Sequence, residues 1–520
     1  MAGAMSAETP PRARARSGTR LLYLVHSWTG LLTGWLLFAI CLTGTLVVYK
    51  FPLKAIANPA LSNEALPDRI GPDGALARIR VALPDERVMV VAFPSDIYSA
   101  HQYSVTTERP DGSDHRSWVS PATGTVRSKL PSDFADFVQR LHAQLFLGKT
   151  GRWIVGFLGL VMAVSAGTGL AFHWRRLRRD LFAVKPHAHA RKAWSGVHKV
   201  GGVWMLPLHL LLALTGAWLG LESLVGITAS SASPLKLAGS GPGHPLPIAT
   251  IVARARAARP DFTPTHVNFE NYGAAGSTVR VQGDLPGSRL VQRGQTMLVF
   301  DADSGRLLQT IDRTRQGWGR RILAMVRPLH YGYFWPGVSE LLYVLLGAAA
   351  TLLAASGMLI WAERDKHARY PRDRARRVTG MERANAAVMG GMLLALGAIA
   401  LAGSLFALPF AGSQDLLSGK ALAPELAMLL VAWVAIGTLL SRMPPMSAWR
   451  LTLIATAATM VLLPVVALAR FSPGARADLS GLAIGFTACC WAVATVLILI
   501  ARNIARRTAA SSSTSKGECS

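Results

Sequence analysis

The sequence predicts a polytopic α-helical membrane protein of about eight spans. Two small α+β domains sit on one side of the membrane, and spans one to four form a parallel internal repeat. Three observations predict this. Apolar residues make up 51% of the 520, and they gather into runs long enough for a hydrocarbon core of about 30 Å, which takes about 20 helical residues. Arg and Lys crowd the short segments on one side of those runs. One stretch is also written twice. "HSWTGLLTGWLLFAICLTG" from His26 to Gly44 and "HKVGGVWMLPLHLLLALTG" from His198 to Gly216 both open with His, place Gly four residues on and close with Leu-Thr-Gly.

Taken in order, a basic N-terminus over 1–20 leads into a first span at 21–49. An outer segment at 50–151, a second span at 152–174, a basic loop at 175–199 and a third span at 200–222 follow. A second outer segment covers 223–336, the fourth span 337–361 and another basic loop 362–385. A four-span module fills 386–502, with spans at 386–410, 422–440, 450–469 and 480–501, and a tail at 503–520 ends the chain. The net charge of +26 falls in "PRARARSGTR", "HWRRLRRD", "KPHAHARKAW", "WAERDKHARYPRDRARRVTG" and "ARNIARR", always on the same side. This positive-inside pattern puts both termini in the cytoplasm and the two long segments outside. The charge sets topology, and no nucleic-acid partner is expected, because no basic patch interleaved with aromatics lies in a soluble domain. The first span is too long for a signal-peptide core and no small-x-small site follows it, so it reads as a retained anchor. Cys41, Cys489 and Cys490 lie in spans and Cys519 in the tail. With no CxxC or CxxCH, neither structural zinc nor covalently attached c-type haem is expected.

Each outer segment reads as helix followed by strands. "GALARIRVAL" precedes "ERVMVVAFP", "HQYSVTTERP" and "RSWVSPATGTV"; "IATIVARARAARP" precedes "HVNFENYG", "STVRVQGD" and "TMLVFDADSGRLLQTI". The pieces "VSPATGTV" and "VFDADSGRLL" have the form of one hairpin, a strand into a turn closed by Gly and out again. A Leu-His pair follows each hairpin, in "FVQRLHAQLF" with His142 and in "MVRPLHYGYF" with His330. The interval from His142 to Gly169 equals that from His330 to Gly357. The repeating unit is therefore helix, outer α+β segment, Leu-His, helix. Both copies start inside, and such repeats are related by a pseudo-two-fold axis along the membrane normal.

That axis brings equivalent residues towards each other. His26 and His198 sit at the inner ends of spans one and three; His142 and His330 sit on the outer side, before spans two and four. Two opposed imidazoles on each side, with no matching thiol or carboxylate, suit b-type haem with two axial histidines, and the symmetry implies two haems in the chain. Gly30 and Gly202 lie one turn above their histidines on the same helix face and leave room for a flat macrocycle; the plainer alternative is close helix approach. His173 and His209 are two further candidates without counterparts, since they align with Trp361 and Leu37. His209 lies mid-span, about three turns and about 16 Å from His198 along a straight helix, and an ionisable residue at that depth is a functional candidate as a ligand or proton relay. His187 and His189 read as solvated loop residues, and His101, His115, His244 and His266 as local structure. Trp28, Trp35, Trp153, Trp194, Trp204 and Trp335 read chiefly as an interfacial belt.

The segment "LVHSWTGLLTGWLLFAICLTG", the two hairpins and the paired "RLH" and "PLH" pieces resemble the PepSY-associated transmembrane proteins over about 21–361. These are bacterial inner-membrane proteins, often called iron-regulated membrane proteins. The resemblance implies PepSY-like periplasmic domains, two b haems in the membrane and reduction of ferric siderophores on the periplasmic side. It assigns the family's histidines to His26, His142, His198 and His330. It implies electron flow from the haem of His26 and His198 to that of His142 and His330, then to Fe(III) in a chelate, releasing Fe(II). The family core has four spans, and here four more follow.

With no G-x-G-x-x-G after a strand, no P-loop and inner loops of only about 20 residues, the chain supplies no electron-donor domain. The donor is expected to be external, a membrane quinol or a cytoplasmic reductase. Two other readings compete. One is a PepSY-type peptide-binding regulator of a periplasmic protease or signalling partner, which leaves the paired histidines unexplained. The other is a transporter of iron, a chelate or protons, which conflicts with the near absence of ionisable residues within the spans.

Overall fold

A computed structural model describes residues 12–58, 61, 68–94, 101–128, 134–180, 182, 190–226, 241–286, 290, 296–335, 337–371, 377–406, 424–469 and 480–517. His187 and His189 lie outside the described residues. Among the described residues, seven helices are long and apolar enough to cross a membrane: Gly18–Val47, Gly148–His173, Leu206–Val225, Val338–Arg369, Gly380–Leu405, Pro445–Ala469 and Ile484–Arg506. The stretch expected as a span at 422–440 forms the helix Pro424–Arg442, whose apolar part, Leu426–Arg442, is shorter. The chain is a multi-pass membrane protein.

The first half of the repeat contains α1 (Arg12–Val47), α2 (Lys50–Ala57), α3 (Gly71–Ala82), α4 (Phe134–Gln144) and α5 (Gly148–His173). The second contains α6 (Ala190–Trp204), α7 (Leu206–Val225), α8 (Ile248–Ala258), α9 (Trp318–Tyr331) and α10 (Val338–Arg369). Helix α1 packs on α10 and α5; correspondingly, α7 packs on α5 and α6 on α10. The result is a four-helix bundle with an internal two-fold. Where α5 crosses α7 the backbones nearly touch, since a Cβ on Gly220 would lie 2.5 Å from the Gly156 Cα; small residues permit such approach in a membrane. The third span differs from the continuous helix the sequence predicts. It breaks at Met205, and α7 restarts with Pro207 in its first turn, where a missing N–H costs no helical hydrogen bond.

Among the described residues, the two long segments contribute four strands each: β1 (Arg87–Ala92), β2 (Tyr103–Glu108), β3 (Asp114–Val119) and β4 (Val126–Arg127), then β5 (Thr263–Glu270), β6 (Thr278–Asp284), β7 (Thr296–Asp301) and β8 (Leu307–Ile311). Both halves join edge to edge in one antiparallel sheet of order β4-β3-β2-β1-β5-β6-β7-β8. The joint is β1 on β5, with Val90 opposite Asn268, Val91 opposite Val267 and Ala92 opposite His266. Val91 and Val267 are equivalent residues, so the pseudo-two-fold passes through their pair. Helices α3 and α8 lie on one face and bury Ala75, Leu76, Ile79, Ile248, Ile251 and Ala255 against Val91, Val105, Val267 and Val281. Alternation along the strands presents one apolar face, as a half-buried sheet requires.

The two hairpins have the same geometry. Ser120 N donates to Thr125 O at 3.0 Å and Gly124 N to Ser120 O at 2.9 Å; Asp301 N donates to Arg306 O at 3.0 Å and Gly305 N to Asp301 O at 2.9 Å. Gly124 (φ 71°) and Gly305 (φ 66°) hold the left-handed position, which a side chain disfavours.

The last helices flank α1. After α11 (Gly380–Asn385) comes a π-helical turn (Ala386–Gly390), then α12 (Gly391–Phe406), α13 (Pro424–Arg442), α14 (Pro445–Ala469) and α15 (Ser480–Gly517). Trp35 Nε1 donates to Asn385 Oδ1 at 2.9 Å, and Asn385 Nδ2 donates to Met358 O at 3.2 Å. Ala39 of α1 and Phe137 of α4 share an apolar cluster with Met392, Ala395 and Leu396.

Two outcomes follow. Asp73 of α3 caps α8 of the other half, accepting from Ile248 N at 2.6 Å and Ala249 N at 2.9 Å. Asp73→Ala should therefore destabilise the sheet domain by about 1 kcal/mol in thermal unfolding. The Asp301 carboxyl is held below its usual range by the Ser304 hydroxyl and amide. A depressed carboxylate contributes stability above its unfolded pKa and loses it as pH falls through the folded value. Asp301→Asn should flatten the acid side of the stability profile by less than about 1 kcal/mol, the group being partly exposed.

Candidate functional site

Four histidines meet in two pairs. At the end of the bundle away from the sheet, the ring centres of His26 on α1 and His198 on α6 are 6.0 Å apart, with planes at 73°. At the end next to the sheet, those of His142 on α4 and His330 on α9 are 6.3 Å apart, with planes at 24°. An imidazole nitrogen sits about 1.1 Å from its ring centre and bonds a metal at about 2.0 Å, so two imidazoles facing across one metal have centres about 6.2 Å apart.

Each ring is oriented by a neighbouring helix. His26 Nδ1 bonds Ser165 O at 2.8 Å, and His142 Nδ1 bonds Ile40 O at 2.9 Å. His198 Nδ1 bonds Leu353 O at 3.1 Å and the Ser356 hydroxyl at 3.0 Å. His330 bonds the Leu212 carbonyl and meets the Thr215 hydroxyl at 3.0 Å. A carbonyl only accepts, so each Nδ1 carries the proton and Nε2 keeps the lone pair that a metal takes.

A glycine seats each ring. A Cβ on Gly169 would lie 3.0 Å from His26 Cε1, on Gly44 2.8 Å from His142 Cε1, on Gly216 2.9 Å from His330 Cε1, and on Gly357 3.4 Å from His198 Cε1. In every case the glycine stands four residues after the accepting carbonyl: Ser165 and Gly169, Ile40 and Gly44, Leu353 and Gly357, Leu212 and Gly216. A helical side chain covers the turn N-terminal to its own Cα, so that glycine is the residue that would otherwise shield the carbonyl. Sequence reasoning quoted these glycines as the repeat's closing motif and missed their role; equal His-to-Gly intervals were the available signal.

Gly30 and Gly202 play a different part. A Cβ on Gly30 would meet nothing within 4 Å and one on Gly202 only a Leu353 methyl at 3.6 Å, so neither marks a helix crossing. His173 and His209 join neither pair. The Phe172 ring lies between His26 and His173, with ring centres 5.5 Å and 4.3 Å away respectively. The Met205 break separates His209 from His198; His209 is buried with no hydrogen-bond partner at Nε2. Among the described residues, no group of three or more His, Cys, Asp or Glu is placed to hold a metal ion.

A four-span repeat with histidine pairs at both ends and a joined α+β sheet at one of them defines a class of membrane protein with paired α+β segments. The chain matches the model of the PepSY-associated TM region over residues 23–364 and belongs to that family. It is similar to an uncharacterized protein of Pseudomonas aeruginosa, 28% identical over 254 residues, or 44% of this chain and 63% of that relative's length. The family match ends before α11.

Gly44→Ala and Gly169→Ala should each push the facing imidazole off its carbonyl. Both should lower the melting temperature in detergent, by about 1–3 kcal/mol of overpacking. Gly18→Ala, whose Cβ would meet nothing within 4 Å, should be neutral or slightly stabilising, as Ala favours helix.

Proposed function

We propose that this chain is a b-type dihaem electron-transfer protein of the bacterial inner membrane that reduces a ferric siderophore or another ferric chelate on its periplasmic, sheet-bearing side, releasing Fe(II). The observation that carries the reading is the pair of histidine stations, 6.0 and 6.3 Å between ring centres, with all four Nδ1 atoms already committed. Two imidazoles alone are too few for a structural zinc site; they fit a metal that brings its own equatorial ligands. Imidazole suits iron, and the open space at Gly30 fits a flat macrocycle.

His26 and His198 would hold the inner haem, His142 and His330 the outer. Bound haem supplies one-electron chemistry. The protein residues fix tautomer and ring orientation through the four carbonyl bonds, which also raise the basicity of Nε2. Helix α1 carries His26 and, at Ile40 and Gly44, the seat of His142, so one rigid element sets the spacing of both stations. The positive-inside charge pattern supports an orientation with the sheet outside. The electron that Fe(III) gains from the external donor, by way of the protein, lowers its charge to that of Fe(II), which binds hard oxygen donors more weakly and leaves the chelate. The electron donor is external, a quinol or a cytoplasmic reductase.

Detergent-purified protein from haem-supplied cells should show about two b haems per chain by pyridine haemochrome, as the two pairs require. His26→Ala or His198→Ala should remove one, and His142→Ala or His330→Ala the other. A well-folded preparation without haem would overturn the reading and leave the peptide-binding regulator in its place.

A further inference from the structure

We propose that Arg140 forms a carboxylate-binding site beside the outer histidine pair. Arg140 lies on α4 two residues before His142 and is 7% exposed. Its Nε, Nη1 and Nη2 are buried and none has a hydrogen-bond partner, so five donors in a planar fork are unmet. The one described contact of the guanidinium is the face of Phe146, 5.5 Å from Cζ to ring centre. A cation–π contact offsets only part of the cost of burying that charge.

The local carboxylate is already engaged. Asp136 stands one turn earlier on the same face of α4, and both Lys50 and Lys54 bind it. Lys50 also reaches Gln139, and Lys54 lies 4.9 Å over the Trp118 ring of the sheet. The other copy shows that the fold does not need this arginine. There Pro328 stands for Arg140 and Ala324 for Asp136, while Glu222 and Arg327 stand for Lys50 and Gln139 and close as an ion pair at 3.3 Å. Arg140 is thus a departure from the repeat that no acceptor among the described residues explains.

A strained turn covers it. Leu145 (φ 49°) and Phe146 (φ 56°) are consecutive bulky residues in the left-handed region, a costly conformation that clusters at ligand clamps and switches. That turn sets the Phe146 ring on the guanidinium, so a ligand enters when the ring swings aside. The fork matches a carboxylate bidentately. Two sources share that chemistry: a propionate of the outer haem, which rests on the dihaem reading, and a carboxylate of an arriving ferric chelate, which does not.

The full chain in detergent is compared with Arg140→Gln, Arg140→Lys and Phe146→Ala, by calorimetric titration with citrate and by spectroelectrochemistry of bound haem. For an arriving carboxylate, citrate binds the wild type, Arg140→Gln weakens it about tenfold or more, Arg140→Lys keeps part of the affinity and Phe146→Ala binds at least as tightly. For a propionate, citrate binding is absent or equal in all variants, and Arg140→Gln shifts the potential of one haem while leaving the haem count at two. Unchanged citrate affinity with unchanged potentials overturns the site, even if Arg140→Gln lowers the melting temperature. A preparation without haem sinks the dihaem reading alone, and the citrate titration of Arg140→Lys against wild type then decides this site.

Discussion

Everything at the two stations depends on one contact, an imidazole Nδ1–H bound to a main-chain carbonyl of the next helix. A carbonyl inside a helix already accepts from the amide four residues on, and its second lone pair is screened by the side chain of that same residue. The protein removes the screen with glycine at all four places. A single contact therefore fixes ring orientation, tautomer and helix–helix distance, and it ties α1 to α5, α6 to α10, α4 to α1 and α9 to α7. The bundle and the candidate site are the same set of interactions seen from two sides.

Much of this was legible in the chain. The spans follow from hydropathy, and the repeat from the coincidence of His, Leu-Thr-Gly and the hairpins at matched intervals. The strands follow from their alternation. The histidines could be paired because an axis along the membrane normal leaves equivalent residues facing each other. Other features were hidden for physical reasons. The β1–β5 joint links segments separated by two spans, and no local pattern encodes which edge meets which. The break at Met205 depends on a proline that a hydropathy window ignores. The partnership of Ile40 with His142 needs a crossing of helices that periodicity does not report. His173 and His209 carry the same residue type as the four paired histidines, and residue type alone does not say which rings the helix crossings bring together.

The departures from symmetry are as informative as the symmetry. A duplicated unit begins with equal halves, and any position where one half keeps a buried charge and the other an ion pair or proline has been freed from the common fold. The C-terminal helices add a second departure, since the Trp35–Asn385–Met358 node and the cluster at Ala39 brace the α1 flank. The π-helical turn next to Asn385 accommodates an extra residue there, a feature found often near functional positions.

The β1–β5 joint has a consequence for biogenesis. Until the second α+β segment has been made and folded, the free edge of β1 presents a row of unpaired amides and carbonyls, a template for promiscuous strand addition. The joint is a highly non-local pairing, the kind that forms late. Completion of the sheet thus requires both halves of the repeat to be in place, and a chain stalled after its second span would carry an open strand edge.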